Sequence, residues 1–282
     1  MNCWRIVISN TGTNRLSLKG VNHVIAVASG KGGVGKSTVA ANLALALAAE
    51  GHRTGLLDAD IYGPSQALMM GVPDTKPEVR DEMLQPVLAH GIQVMSMGFV
   101  TSPRTPAVWR GPMASGALQQ LLSQTAWNEV QFLVVDYPPG TGDIQLTLAQ
   151  QVPMSGAVIV TTPQDIALLD ARKAIEMFRK VEVPVLGIVE NMSIHVCSQC
   201  GHQEAIFGEG GGDRIAAEYD TRVLGRLPLS LAIREQSDGG RPPLVAEPEG
   251  AASQVMRDVA REVVAAVFAA QSEAPVIRVI DD

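Results

Sequence analysis

Gly30-Lys31-Gly32-Gly33-Val34-Gly35-Lys36-Ser37-Thr38 fits the phosphate-loop pattern G-x-x-x-x-G-K-[ST] from Gly30 to Ser37. Ahead of it, Val24-Ile25-Ala26-Val27-Ala28-Ser29 reads as a buried parallel strand. Behind it, Val39, Leu43 and Leu47 recur at helical spacing up to Gly51, a residue suited to the left-handed position that closes a helix. Strand, glycine loop and helix follow in the order a triphosphate requires. Glycines let backbone N–H groups turn inward around the phosphate oxygens, and the helix N-terminus adds partial positive charge. Lys36 is placed to reach the β and γ phosphates, Ser37 to hold Mg²⁺ through its hydroxyl, and Thr38 to reach the α phosphate. Gly30-x-Gly32-x-x-Gly35 also matches the dinucleotide fingerprint, with Asp58 in the place of a ribose-binding acid. Two features favour the triphosphate: a lysine buried at position 36 needs an anion to compensate it, and a magnesium acid follows downstream.

At 282 residues, with 46% hydrophobic and 18% charged residues, the chain reads as a soluble protein of one or two domains able to bury a substantial core. No apolar run approaches the roughly 20 residues needed to span a bilayer. Residues 1–20 lack the basic start and apolar stretch of a secretion signal, so a cytoplasmic protein is expected. A net charge of −7 argues against a nucleic-acid surface. Three cysteines are no disulfide framework, which leaves Cys197 and Cys200 to metal or redox chemistry and Cys3 without a role. The expected organisation is a short leader over 1–20, one ATPase domain over 21–270 carrying a C-x-x-C metal site, and a tail over 271–282.

Along the chain, Thr54-Gly55-Leu56-Leu57-Asp58-Ala59-Asp60 reads as a second strand delivering two carboxylates at its C-terminal end, where open parallel sheets bind ligands. Asp60 is the candidate to orient an attacking water. Ile61-Tyr62-Gly63-Pro64-Ser65 leaves the sheet as a loop able to respond to the γ phosphate. Met69, Met70, Met95 and Met97 read as core filler, and Arg110 as a surface arginine. A strand over 92–97 and a helix ending near Gln124 are expected.

Phe132-Leu133-Val134-Val135-Asp136 is an apolar strand ending in the acid that a phosphate loop needs for magnesium. In Tyr137-Pro138-Pro139-Gly140-Thr141-Gly142-Asp143, Gly140 is the candidate to offer its N–H to the γ phosphate and Asp143 to cap a helix. Strands over 157–161 and 185–189 flanking a helix over 165–180 complete a doubly wound, mostly parallel α/β sheet. Asn191 reads either as a reader of the N6 and N7 edge of adenine or as a turn cap. Around Cys197-Ser198-Gln199-Cys200 three readings stand: zinc completed by His195 and His202, a cycling dithiol, or a cluster shared by two subunits. The glycine-rich run at 208–213 reads as a hinge or a helix start. Leu227-Pro228 is placed to pack against a base, and a helix over 251–270 puts Met256, Val259, Val263 and Val267 on one docking face.

The early lysine Lys31 in the loop resembles the deviant phosphate-loop class of septum-site, plasmid-partition and nitrogenase-iron-protein ATPases. That resemblance implies that Lys31 reaches the nucleotide of a partner copy in an ATP-dependent homodimer. Within the class, Asp58-Ala59-Asp60-Ile61-Tyr62-Gly63-Pro64-Ser65, Pro138-Pro139-Gly140-Thr141-Gly142-Asp143, Val189-Glu190-Asn191-Met192 and the Cys197, Cys200 pair resemble the Mrp/ApbC iron-sulfur cluster carriers from about residue 21 to 270. The resemblance implies ATP and Mg²⁺ as ligands, Ser37, Asp58 and Asp136 at the magnesium, and Asn191 at the adenine. It further implies a [4Fe-4S] cluster bridged by the cysteine pairs of two subunits. Expected partners are a second copy, apo iron-sulfur recipients and a scaffold donor, with no nucleic acid and no membrane. Many members of that family carry an additional N-terminal domain ahead of the ATPase. Tyr137 stands where they commonly have an aliphatic residue.

Overall fold

The computed structural model describes residues 16, 18–100 and 111–272; Cys3, Arg110 and most of the expected 271–282 tail lie outside them. The first half contains β1 (Val21–Ala28), α1 (Lys36–Ala49), β2 (Thr54–Asp58), α2 (Gln66–Met69), the hairpin β3 (Val79–Arg80) and β4 (Met83–Leu84), β5 (Val87–Ala89), β6 (Ile92–Ser96), α3 (Met97–Val100), α4 (Gly111–Gln124) and β7 (Val130–Asp136). The second half contains α5 (Asp143–Gln151), β8 (Gly156–Thr161), α6 (Asp165–Lys180), β9 (Val185–Glu190), the hairpin β10 (His195–Val196) and β11 (Gln203–Glu204), α7 (Gly211–Glu218), β12 (Val223–Arg226), α8 (Leu231–Asp238), α9 (Pro243–Ala246) and α10 (Ala251–Ser272).

Eight strands form the central sheet in the order β12-β9-β8-β1-β7-β2-β6-β5, every pairing parallel except the β5–β6 edge. Strands covered on both faces read as continuous apolar runs; β2, β7 and β8 are buried almost throughout, and β1 is buried from Val24 onward. From β1 the chain crosses over β7 to β2, whereas from β7 it crosses over β1 to β8. That reversal opens a crevice at the carboxyl end of β1. Register fixes what lines it: Val27 of β1 pairs with Asp136, and Asp136 pairs with Asp58 of β2.

Helix α1 is apolar around most of its circumference because it lies between β7 and α10. The face of α10 built from Met256, Val259, Val263 and Val267 is buried. The four methionines divide: Met70, Met95 and Met97 are core residues, and Met69 is half-buried. The end of the expected leader belongs to the folded unit, since Leu18 is buried and the Leu16 N–H donates to the Gln151 carbonyl at 2.8 Å.

Several local expectations are corrected. The strand expected over 54–60 stops at Asp58, because the Asp60 N–H turns back to Asp58 Oδ1 at 3.2 Å and leaves the ladder. Asp143 is the first residue of α5 and Gly142 its cap, with no side-chain capping bond. Leu227 is 4% exposed and so is committed to the core rather than open to a base. The 208–213 run starts α7, and the buried Glu190 accepts the Gly212 N–H at that helix's N-terminus, where a carboxylate is favoured.

Candidate functional site

The glycine loop joins β1 to α1 at the crevice. Gly35 has φ +83°, a left-handed value, and a Cβ there would sit 2.1 Å from the Asn191 amide nitrogen. Gly30 is required for a different reason: a Cβ would lie 1.9 Å from the Asp170 carbonyl of α6. At Gly32 and Gly33 an added Cβ meets nothing within 4 Å, so the loop is open where an anion would enter. Lys36 is buried, with its ammonium in an ion pair with Asp136 Oδ1 and 3.3 Å from Ser37 Oγ. A half-buried hydroxyl and a buried carboxylate gathered around one cation are the hard oxygen donors that Mg²⁺ takes, so the residues present fit a metal-bound triphosphate. Val34 is buried beneath the loop, the Lys31 carbonyl accepts the Ser29 hydroxyl at 2.9 Å, and the Thr38 carbonyl accepts the Asn42 amide at 2.8 Å.

The two acids of β2 take different positions. Asp58 has no exposed surface; its Oδ2 accepts Ser65 N–H at 2.9 Å, Gln66 N–H at 3.0 Å and the Ser96 hydroxyl at 2.9 Å, while Oδ1 accepts Asp60 N–H. This carboxylate is a clasp for the 58–66 loop. That disposes of the ribose-acid reading, and leaves Oδ1, with its single bond from Asp60 N–H, as the oxygen through which Asp58 would take part at a metal. Burial, together with the neighbouring Asp136 carboxylate, pushes its pKa up to about 7. Asp60 is nearly buried and accepts the Gly63 N–H at 3.2 Å.

The raised Asp58 value has a consequence for stability. Between the ordinary carboxyl value and about 7 the folded state holds a proton that the unfolded chain has released, so stability from this group falls as pH rises through that window. Asp58→Asn keeps an acceptor for the three donors at Oδ2 and removes the titration. The gap in melting temperature between variant and wild type should therefore move in the variant's favour from about pH 5 to about pH 8. A gap independent of pH would show that Asp58 does not titrate in this range.

Beyond β7, Gly140 donates its N–H to the Ser29 carbonyl at 3.0 Å, so the donor expected to face the γ phosphate is engaged with the strand end before the loop. Tyr137 is fully buried, stacked at a tilt on Phe178, and its hydroxyl donates to the Gln145 carbonyl. The aromatic residue thus ties the 137–143 loop to α5, which an aliphatic side chain cannot do. Asn191 is buried and donates its amide to the Val34 carbonyl at 2.9 Å, which places it against the phosphate loop.

Two contributors escaped the sequence reading. Gln66 Nε2 donates to both the Ser37 carbonyl and Asp136 Oδ2, and Ser96 holds Asp58. Pro64-Ser65 ahead of an apolar run was the one signal that a helix begins at Gln66.

Cys197 and Cys200 lie on the turn between β10 and β11. The Cys197 N–H donates to the His202 carbonyl, and the Cys197 carbonyl accepts the Gly201 N–H, both at 2.9 Å. The backbone N–H groups of Cys200 and Gln199, and then the Cys200 thiol, hold the Cys197 thiol below its ordinary pKa. This favours the thiolate, the form that binds metal. Among the described residues no group of three or more His, Cys, Asp and Glu is placed to hold a metal. The flanking imidazole of His195 donates Nδ1–H to the Leu229 carbonyl at 3.2 Å. The zinc site expected as an alternative, with His195 and His202 completing the pair, is therefore not assembled.

Similarity to known proteins agrees with this geometry. A curated iron-sulfur cluster carrier protein of Pseudomonas fragi is 62% identical over 86% of this chain and 85% of its own length. A nucleotide-binding protein of Archaeoglobus fulgidus, solved in complex with ADP, is 41% identical, with a TM-score of 0.72 over 83% of this chain and 91% of its own. The cell division ATPase MinD of Pyrococcus furiosus, 22% identical with a TM-score of 0.64 over 86% of this chain and 99% of its own, shares the fold. The family model described as ParA, NUBPL iron-transfer P-loop NTPase matches residues 20–264, and the chain belongs to that family.

Proposed function

We propose that this protein is an ATP-hydrolysing carrier that holds a [4Fe-4S] cluster at the interface of a homodimer and passes it to apo-proteins. The single observation that carries the reading is the 197–200 turn: it presents two thiols, one of them held toward the thiolate, with no third ligand beside them among the described residues. A [4Fe-4S] cluster takes four thiolates, so two copies are needed to complete the cargo site. The phosphate loop supplies the means of bringing two copies together. The 62% identical cluster carrier supports the same conclusion.

In this reading Gly30, Lys31, Gly32, Gly33, Val34, Gly35, Lys36, Ser37 and Thr38 bind ATP, and Lys31 reaches the nucleotide of the partner copy. Lys36 exchanges its bond to Asp136 for the terminal phosphates. Asp136 and Ser37 would hold Mg²⁺, which when bound neutralises phosphate charge. Asp60, at the mouth of the loop that Asp58 clasps, orients the hydrolytic water. Asn191, fixed against Val34, faces the base. Gly140 reaches the γ phosphate only by giving up its bond to Ser29, which makes the 137–143 loop a candidate sensor of ATP. Among the described residues no helix is long and apolar enough to cross a membrane, and a cytoplasmic carrier serving apo iron-sulfur recipients from a scaffold donor is the setting we propose.

The test is anaerobic reconstitution with ferrous iron and sulfide, followed by desalting and mixing with an apo-dehydratase whose activity requires a [4Fe-4S] cluster. Equal iron and sulfide on the carrier and recovery of the dehydratase are the expected results. Bound zinc without sulfide, or iron that is never handed over, would sink the proposal.

A further inference from the structure

Gln66, the first residue of α2, has no exposed surface. Its N–H donates to Asp58 Oδ2 at 3.0 Å, and its side-chain Nε2 donates to the Ser37 carbonyl at 3.0 Å and to Asp136 Oδ2 at 2.8 Å. One side chain from the 58–66 loop thus grips both residues assigned to the metal. The orientation of the amide is fixed by chemistry. Turned over, Oε1 would face a carbonyl and a carboxylate, acceptor against acceptor. Oε1 is consequently held in place, buried and without a hydrogen-bond partner. A buried acceptor left unpaired is costly, and native structures supply it with a donor. Lys36 spends its ammonium on Asp136 and Ser37. The donor chemistry that belongs beside Ser37 and Asp136 is the O–H of metal-bound water, because Mg²⁺ keeps several waters when protein ligands are few.

We infer that Gln66 is a positioning residue of the magnesium site: Nε2 aims the Asp136 carboxylate and anchors the loop at Ser37, while Oε1 accepts a hydrogen bond from the water shell of the cation. The same side chain begins α2, so the cation's hydration is tied directly to the loop that carries Asp60. This deepens the reading of the 30–38 loop as an ATP and magnesium site and rests on it.

The experiment follows binding of the fluorescent analogue mant-ATP to the full chain while Mg²⁺ is titrated, and again in EDTA. Gln66→Met, which keeps the volume and removes both polar atoms, should weaken affinity in EDTA far less than affinity in Mg²⁺. It should raise the Mg²⁺ concentration for half-maximal tightening about tenfold or more, the scale of outer-sphere losses at metal sites. Gln66→Asn, which withdraws the amide by one methylene, should do the same and serves if the Met variant fails to fold. A residue that only linked α2 to the phosphate loop would weaken binding equally with and without Mg²⁺; that result, or an unchanged Mg²⁺ midpoint in a folded variant, overturns the inference. Wild-type binding indifferent to Mg²⁺ would overturn the magnesium-site reading itself, and this inference with it.

Discussion

Lys36→Ala should weaken ATP binding about thirty-fold or more. Lys36 is the buried cation of the loop, and truncating one partner of a buried, hydrogen-bonded charge pair costs about 2–5 kcal/mol, roughly thirty-fold to several-thousand-fold in affinity. The same change strands Asp136, which has no exposed surface and loses its cation, so the variant should also be less stable by about 3–5 kcal/mol. The two effects separate in the double variant Lys36→Ala, Asp136→Asn. Removing the stranded charge should restore the melting temperature without restoring nucleotide affinity measured in the absence of Mg²⁺. If the double variant regains ATP binding, the phosphate contact lies elsewhere. Lys31→Ala is the internal contrast: Lys31 is half-buried, and the bond at that residue is made by its backbone carbonyl, so single-chain affinity should persist while hydrolysis and ATP-dependent pairing are lost.

The features legible in the sequence were those whose cause is local. Val24 to Ser29 reads as a strand because every residue is apolar or small, and the loop after it reads as a phosphate site because its glycines and lysine are contiguous. Helix α6 was legible end to end because its buried positions, among them Ala167, Leu168, Ala171 and Ile175, keep one stripe between an acidic first turn and a basic last turn. The rest depended on contacts across the chain. Gln66 meets Ser37 at a separation of 29 residues and Asp136 at 70, and Ser96 meets Asp58 at 38, so no window of sequence contains both partners. Asp58 shows the same limit: Asp-x-Asp at a strand end suggests two acids facing one ligand, and no local signal shows that three donors from beyond the strand claim one oxygen of the first. The β3–β4 and β10–β11 hairpins, with two residues per strand, are too short for any periodicity to register.

Cys197→Ala and Cys200→Ala should each empty the cargo site completely, an all-or-none loss that follows from symmetry. The described part of one chain supplies two thiols on one turn, and Cys3, outside the described residues, is far away in sequence. Four thiolates therefore require two copies, and an isologous interface brings the same turn to meet itself across the two-fold axis. A single substitution then deletes two of four ligands at once. Iron after anaerobic reconstitution should fall from about two per chain, one four-iron cluster per dimer, to near zero in either variant. ATP binding should be unchanged, because the 197–200 turn lies on the β10–β11 hairpin and the phosphate loop at the carboxyl end of β1. Cys3→Ala should keep both iron and nucleotide. The mass of the reconstituted species decides between sharing and its rivals. A dimer that dissociates when either cysteine is replaced supports the shared site; a full four-iron cluster on a monomer refutes it. So does iron retention at half the wild-type level, since that pattern means iron is held without four thiolates.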